Sequence, residues 1–566
     1  MKVNETFDGQ VIPKKTKWIY SVSATGRDAA YALVSMFLLT YIQYSGILTP
    51  AGAEVTASQY AAMFGVISAL VIVYRIFDAL NDPFMGVLVE KVHMKLGKYK
   101  PWILIGCVAN SLTVFCLFCV PQWTSALQGW GYVWWFAIWY LLWGMTFTMN
   151  DVSYWAMMPS LSSDAKERTS ITTMMQIFCS VGQFSVAALA PIFATSFGYQ
   201  STYMTMTIIV IAVFLILQIL LVLFAKEHTR DLEAEKNHPA ASFKDMFSVL
   251  KNNNQTRWAV IIILIYYTGS GILNALGMNY FYFAVGYSAG GTAMTLFTVV
   301  YGLGVIIATF LFPLLSSKFT RKQLFTACII LTILGYVAFF IYGLPLGNGS
   351  YLSPSPVTES GDLNMIYMIP LIFIGLFIFF AQGIIGMILV MQNQNTIEYN
   401  EWKTGERKES VILSLRSLSA KLASSIQQGV LYLFLACAGL LAIINDLSSL
   451  QQDLAMGTMT SEAVSEASNA LCATASTSSI IIYKAGVAIL PLVLILVCYI
   501  LSMKFYKIDE KTYDKIVKEI EERKQLEHEE HQPELGAETA VDANTVPESE
   551  SSPEYVEENP DEKQNE

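Results

Sequence analysis

Apolar residues in this chain gather in runs of lipid length, and the polar segments between the runs alternate between two kinds. Runs able to cross about 30 Å of hydrocarbon fall at 18–43, 59–84, 101–121, 130–157, 169–196, 203–225, 257–284, 293–315, 323–344, 364–393, 408–445 and 479–503. Each predicts a membrane-spanning helix. The segments near 44–58, 121–129, 197–202, 285–292, 345–363 and 446–478 contain no Lys or Arg. The alternate ones carry Lys91, Lys95, Lys98, Lys100, Lys166, Arg168, Lys318, Arg321, Lys322, Lys403, Arg407 and Lys408. Positive charge stays on the cytoplasmic side, so an even number of spans puts both termini in the cytoplasm. The chain then divides into an N-terminus (1–17), a six-helix bundle (18–225), a cytoplasmic middle loop (226–256), a second six-helix bundle (257–503) and an acidic tail (504–566). The tail has few aromatics and is expected to be disordered. The loops at 346–364 and 446–479 are longer than a bundle needs and are expected to be insertions without architecture, the second with room for a short helix.

Composition agrees with an all-α polytopic membrane protein. Apolar residues make up 54% of the 566 and charged ones only 14%, and mean hydropathy is +0.46, which no soluble core requires. The net charge of −10 arises largely in the tail and gives no reason to expect a nucleic-acid partner. Lys14, Lys15 and Lys17 precede the first run with no small-residue cleavage site after it, so no signal peptide is read. Seven of the eight cysteines lie in apolar runs and only Cys472 in a polar segment, which is neither a disulfide framework nor a zinc site. No phosphate-binding loop, metal-ligand cluster or nucleophile paired with a base is present, so an enzyme and a resident cofactor are not expected.

Chemistry is concentrated in the few charges that sit inside the runs: Arg27, Asp28, Arg75, Asp78, Asp82, Asp151 and Lys421. A charge at the bilayer centre costs about 2.5 to 3.5 kcal/mol on insertion scales, so such residues face protein or a watery cavity. Asp78 and Asp82 are one helical turn apart on one face, with Asn81 beside them. They either repel each other or share a cation. The alternative for Asp82 is a membrane-edge carboxylate that reaches the cytoplasm. The seven residues hold three positive and four negative charges, one short of balance, and a monovalent cation would complete the set. Oxygen donors suit Na⁺ or Li⁺, and a carboxylate pair suits H⁺. Asp151 follows Thr148 and Asn150 and precedes Tyr154 and Trp155. An indole beside carboxylates suits a sugar's apolar face and hydroxyl rim, though Trp155 reads equally as an interfacial aromatic. Asn274, Asn279, Gln176, Gln382, Gln392 and Asn393 read more readily as hydrogen-bonding glue between helices.

Two six-helix halves about a long middle loop are the architecture of the major facilitator class. Within it, Arg75-Ile76-Phe77-Asp78-Ala79-Leu80-Asn81-Asp82-Pro83, Gly97-Lys98-Tyr99-Lys100-Pro101-Trp102 and Glu401-Trp402-Lys403-Thr404-Gly405 resemble the glycoside-pentoside-hexuronide:cation symporter family. Gly26-Arg27-Asp28, Gly144-Met145-Thr146 with Asp151 and Trp155, and Lys421 fall at matching places, so the resemblance runs from about 20 to 425. It implies symport of a sugar, a glycoside or oligosaccharide, with Na⁺, Li⁺ or H⁺ by alternating access. It assigns the cation to Asp78 and Asp82 with Asn81 and Thr148 close by, and the sugar to Arg27, Asp28, Asp151 and Trp155. Lys421 links the two, and Arg75 is placed with it. The implied partners are a sugar, a monovalent cation and the bilayer of the cell membrane, with the chain acting as a monomer. Gln176 stands where the pattern has an arginine, Gly386 where it has a tryptophan, and Glu398 and Asn400 replace Asp and Gly. The sugar itself stays open. A lipid or lysolipid carrier of the same fold, and a non-transporting sugar sensor, are the alternatives.

Overall fold

The computed structural model describes residues 13–523, apart from 51, 53, 92–93, 95, 162–164, 226–242, 348–349, 360 and 407, together with residue 525. Helices α1 (Lys14–Tyr44), α2 (Ala57–Lys91), α3 (Lys100–Phe118), α4 (Trp130–Leu161), α5 (Ala165–Phe197) and α6 (Tyr199–Phe224) form the first half. A short α7 (Phe243–Asn252) leads into α8 (Asn254–Val285), α9 (Tyr287–Lys318), α10 (Arg321–Ile341), α11 (Met365–Thr404) and α12 (Glu409–Cys437). Two further short helices, α13 (Leu441–Ala455) and α14 (Ser461–Ala473), precede α15 (Thr477–Phe505), which completes the second half. Among the described residues nine helices are apolar and long enough to cross a membrane, and a tenth span appears if α12 and α13 are taken together. Helices α1 and α4 are as long as the rest, but their mean hydropathy is lowered by Lys14, Lys15, Lys17, Arg27 and Asp28 in α1, and by Trp, Tyr and Asp151 in α4. Of these residues, Arg27, Asp28 and Asp151 also belong to the site described below.

Several expectations need correcting. The run at 408–445 is not one helix: α12 ends at Cys437, Gly439 takes a left-handed φ of 69°, and α13 leaves at 101° to α12. The polar stretch 446–478, expected as an insertion with room for a short helix, does hold one, α14, and also the remainder of α13. Part of the middle loop is the amphipathic α7, whose Met246 and Val249 pack with Ile397, Ile412 and Leu415. The tail is not disordered from 504: residues 510–523 are helical. Ile516 and Ile520 are buried there, Trp402 Nε1 donates to Glu519 Oε2 at 2.6 Å, and the Arg321 amide donates to Glu510 Oε1 at 2.8 Å. The acidic stretch 526–566 lies outside the described residues. The loop at 346–364 holds a small antiparallel ladder, Pro345–Gly347 with Ser350–Tyr351.

Helix α13 closes the side whose loops lack Lys and Arg. Asn445 Nδ2 donates to the Val55 carbonyl at 3.2 Å, and Thr49 Oγ1 donates to Ser448 Oγ at 3.2 Å. Gln451 accepts from the Tyr199 amide at 3.2 Å, and Gln200 Nε2 donates to Gln452 Oε1 at 2.7 Å. Beneath them, Tyr44 donates to Asn279 and the hydroxyls of Tyr199 and Tyr282 meet. Every one of these contacts joins the first half to the second, so polar side chains on and beneath one short helix knit the two bundles together on that side.

Candidate cation and substrate site

Asp78 and Asp82 project from one face of α2, as their spacing requires. Lys421, from α12 of the other half, lies between them: its Nζ is 3.1 Å from Asp78 Oδ2 and 2.6 Å from Asp82 Oδ2. Thr148 of α4 completes the group, its Oγ1 within 2.9 Å of Asp78 Oδ1 and 3.1 Å of Asp82 Oδ1, so its proton serves one carboxylate at a time. Asp82 is the more open of the two, with 30% of its side chain exposed against 11% for Asp78. It points into the protein and does not reach outward as a membrane-edge charge would. Asn81 is buried, and its Nδ2 makes no hydrogen bond among the described residues.

A second group forms around Arg27. Its Nη2 and Nε donate to Asp28 Oδ2 at 2.7 and 3.0 Å, and its Nη1 lies 3.2 Å from Asp151 Oδ1. The second contact is a charge contact without hydrogen-bond alignment, so the buried Nη1 retains an unused proton. The guanidinium sits 4.4 Å over the ring of Tyr154 and 5.7 Å from that of Trp155, geometry in which the aromatic face attracts the cation. Trp155 is 38% exposed, whereas Arg27 is buried. Close helix approaches hold this group: a Cβ on Gly26 would meet the Phe214 backbone of α6 at 2.6 Å, and one on Gly182 would meet the Thr25 carbonyl at 2.2 Å. Only glycine lets α5 and α6 come this near α1. The residue after Gly182 is Gln183, whose Nε2 donates to Asp28 Oδ1 at 3.1 Å.

The seven charges therefore divide into two triads, each with one cation shared by two carboxylates, and the seventh, Arg75, stands apart. It is buried on α2 with its guanidinium 5.3 Å from the Trp143 ring and 5.8 Å from the Tyr31 ring, and it donates to the Tyr31 hydroxyl at 3.4 Å. Gln183, Tyr31 and Trp143 were not read from the sequence as site residues. The signal for Gln183 was its polar side chain in an apolar run, two helical turns after Gln176, which itself is exposed.

Two bundles of six long helices, with charged groups inside both the first bundle and the seam between the bundles, define a membrane transport protein of the major facilitator fold. The chain belongs to the MFS/sugar transport protein family, whose family model matches residues 19–510; this is a family of transporters, not of enzymes. It is 27% identical to the raffinose carrier protein of Pediococcus pentosaceus over 76% of this chain and 62% of that one. It is likewise 27% identical to the lactose permease of Lactobacillus delbrueckii subsp. bulgaricus, over 74% and 63%. The chain thus spans about six-tenths of the length of these curated relatives. To the glucuronide carrier protein homolog of Escherichia coli it is 21% identical over 90% of this chain and 95% of that one. Among solved structures, the inward-facing, unoccupied form of a bacterial homolog of the human lysosomal transporter Spinster superposes with a TM-score of 0.56. It covers 87% of this chain and 97% of that one at 13% identity, a likeness of fold alone.

Proposed function

We propose that this protein is a cation-coupled sugar symporter that works by alternating access, as a monomer in the cell membrane with both termini in the cytoplasm. The observation that carries this reading is Lys421: one ammonium from the second half satisfies two carboxylates of the first. A pair of carboxylates one turn apart cannot both stay ionised in a low-dielectric site without a counter-charge. Na⁺, Li⁺ or H⁺ arriving at Asp78, Asp82, Thr148 and Asn81 would compete with Lys421 for that role, and so alter the attraction between the halves. Hard monovalent cations favour such oxygen donors, as other hard cations do. Arg27, Asp28, Asp151 and Trp155 offer what a sugar needs, charged acceptors and an unused Nη1 donor for hydroxyls beside an indole face for the apolar side of the ring. Arg75, between the aromatic rings of α1 and α4, couples the cation helix to the sugar helices. The names of the raffinose, lactose and isoprimeverose transporters among its relatives support a sugar as cargo.

Uptake into proteoliposomes tests the reading. Imposed inward gradients of Na⁺, Li⁺ or H⁺ are expected to drive a saccharide above its external concentration, and dissipating the gradient is expected to abolish accumulation. Absence of saccharide uptake, or equilibration that ignores every gradient, contradicts it.

A further inference from the structure

Three consecutive residues of α5 meet three different partners. Gly182 packs on α1, where a Cβ would overlap the Thr25 carbonyl. Gln183 donates from Nε2 to Asp28 Oδ1 at 3.1 Å. Phe184 turns to the second half, its ring 5.9 Å from that of Tyr301 of α9. A Cβ on Gly302, the next residue of α9, would lie 3.2 Å from the Phe184 ring, and Thr295 Oγ1 of α9 donates to the Ala188 carbonyl at 2.9 Å. The rotation of α5 about its axis is thereby fixed from both sides, and with it the direction in which Gln183 points.

The consequence falls on Asp28. Arg27 binds only one of its oxygens, with Nε and Nη2 both on Oδ2. The χ2 torsion of an aspartate is broad, so an anchor at Oδ2 alone leaves Oδ1 a wide range of directions. Gln183 narrows that range. A carboxylate has about four acceptor positions, and these three hydrogen bonds leave about one, on Oδ1. The Asp28 side chain is 13% exposed, against 34% for Asp151. An amide adds no charge, so Gln183 orients Asp28 without neutralising it. A binding group held by a partner whose own rotamer is fixed by packing is preorganised.

Resting on the symporter reading, we infer that Gln183 is a positioning residue for cargo binding: it acts through Asp28, holding Oδ1 in the direction from which a sugar hydroxyl is taken, and the role requires a neutral donor at this place. Equilibrium binding to purified protein tests it, from pH 5 to pH 8.5, with wild type measured beside each variant. The probe is the tightest-binding member of a panel of methyl galactosides, glucosides and xylosides and their disaccharides. Gln183→Leu, similar in size but without a donor, is expected to weaken binding at least tenfold at every pH. Gln183→Glu is expected to weaken it at least as much at pH 8.5, where the introduced carboxylate faces Asp28 with like charge. At pH 5 it is expected to come within threefold of wild type, because the protonated carboxyl donates to Oδ1 in place of the amide. The charged and titratable groups around this point are Arg27 and Asp28 on α1, Cys179 on α5, Asp151 and Tyr154 on α4, and Tyr301 on α9. Wild type and variant share them, so the ratio of the two affinities isolates the introduced group. Binding recovered at pH 5 also shows that the Gln183→Glu protein is folded. Gln183→Leu within threefold of wild type, or a Gln183→Glu ratio that pH leaves unchanged, overturns the positioning role and leaves the symporter reading intact. Failure of wild type to bind any member of the panel overturns both.

Discussion

Lys421 faces two carboxylates at distances of 2.6 and 3.1 Å with 18% of its own side chain exposed, so its removal leaves a pair of like charges with Thr148 as their remaining neighbour. Removing one partner of a buried ion pair typically destabilises by about 3 to 5 kcal/mol, and the partial exposure of Asp82 puts this case at the lower end. Lys421→Ala is therefore expected to lower the melting temperature in detergent and to abolish uphill accumulation in vesicles. Adding Asp82→Asn to it removes the repulsion and is expected to restore much of the melting temperature without restoring accumulation. Wild-type accumulation by Lys421→Ala would contradict the assignment. Asp78, Asp82 and Lys421 were legible in the sequence because a charge at lipid depth must have a partner, and few partners exist, whereas Thr148 was placed near them only by the family resemblance. Gln183 and Tyr31 were not, since a neutral polar residue in such a helix serves as glue or as lining according to how the helix is rotated, and nothing in an all-apolar run fixes that rotation.

At the scale of elements, the long helices follow from runs that only a bilayer explains, and the side of the charged loops follows from the Lys and Arg. A short helix such as α14 was allowed for, but α13 as a separate helix and the surface both helices cover were not legible, because Ser-, Ala- and Gln-rich stretches of their length carry no lipid-scale signal. They acquire an amphipathic reading only once the surface beneath them is known. The same holds for 510–523, where two isoleucines among charges become a buried stripe against the second half. With Asn445 and Gln452 donating to Val55 and Gln128, and with Thr49, Tyr199 and Gln200 donating to it, α13 must release the first half for the two bundles to part on that side. The Oγ atoms of Thr49 and Ser448 are 3.2 Å apart, near enough for cysteines there to close into a disulfide, whose S–S bond is about 2.0 Å. Oxidising Thr49→Cys/Ser448→Cys is expected to stop net transport at least tenfold, with recovery on reduction. Full transport with the disulfide quantitatively formed would show that α13 is only a cap.

For the whole molecule, the two halves meet at charge around Lys421 and at polar and aromatic contacts beneath α13, and both seams run through helices that also carry the proposed sugar residues. On the proposed reading, a cation that relieves Asp78 and Asp82 changes how α2 packs on α12, and α12 in turn donates through Gln427 to the Tyr267 carbonyl of α8. Sugar and cation are then linked, and linkage is reciprocal, with a typical coupling of about 1 to 3 kcal/mol, roughly 5- to 150-fold in affinity. The most direct measurement is sugar affinity with and without Na⁺ across a pH series, in wild type, Asp78→Asn and Asp82→Asn. Wild type is expected to bind sugar at least fivefold more tightly with Na⁺ or at low pH, and both variants to bind it with an affinity that neither Na⁺ nor pH alters. Variants that keep the full cation dependence of wild type would place the cation site elsewhere and reduce the carboxylate pair to a structural tie.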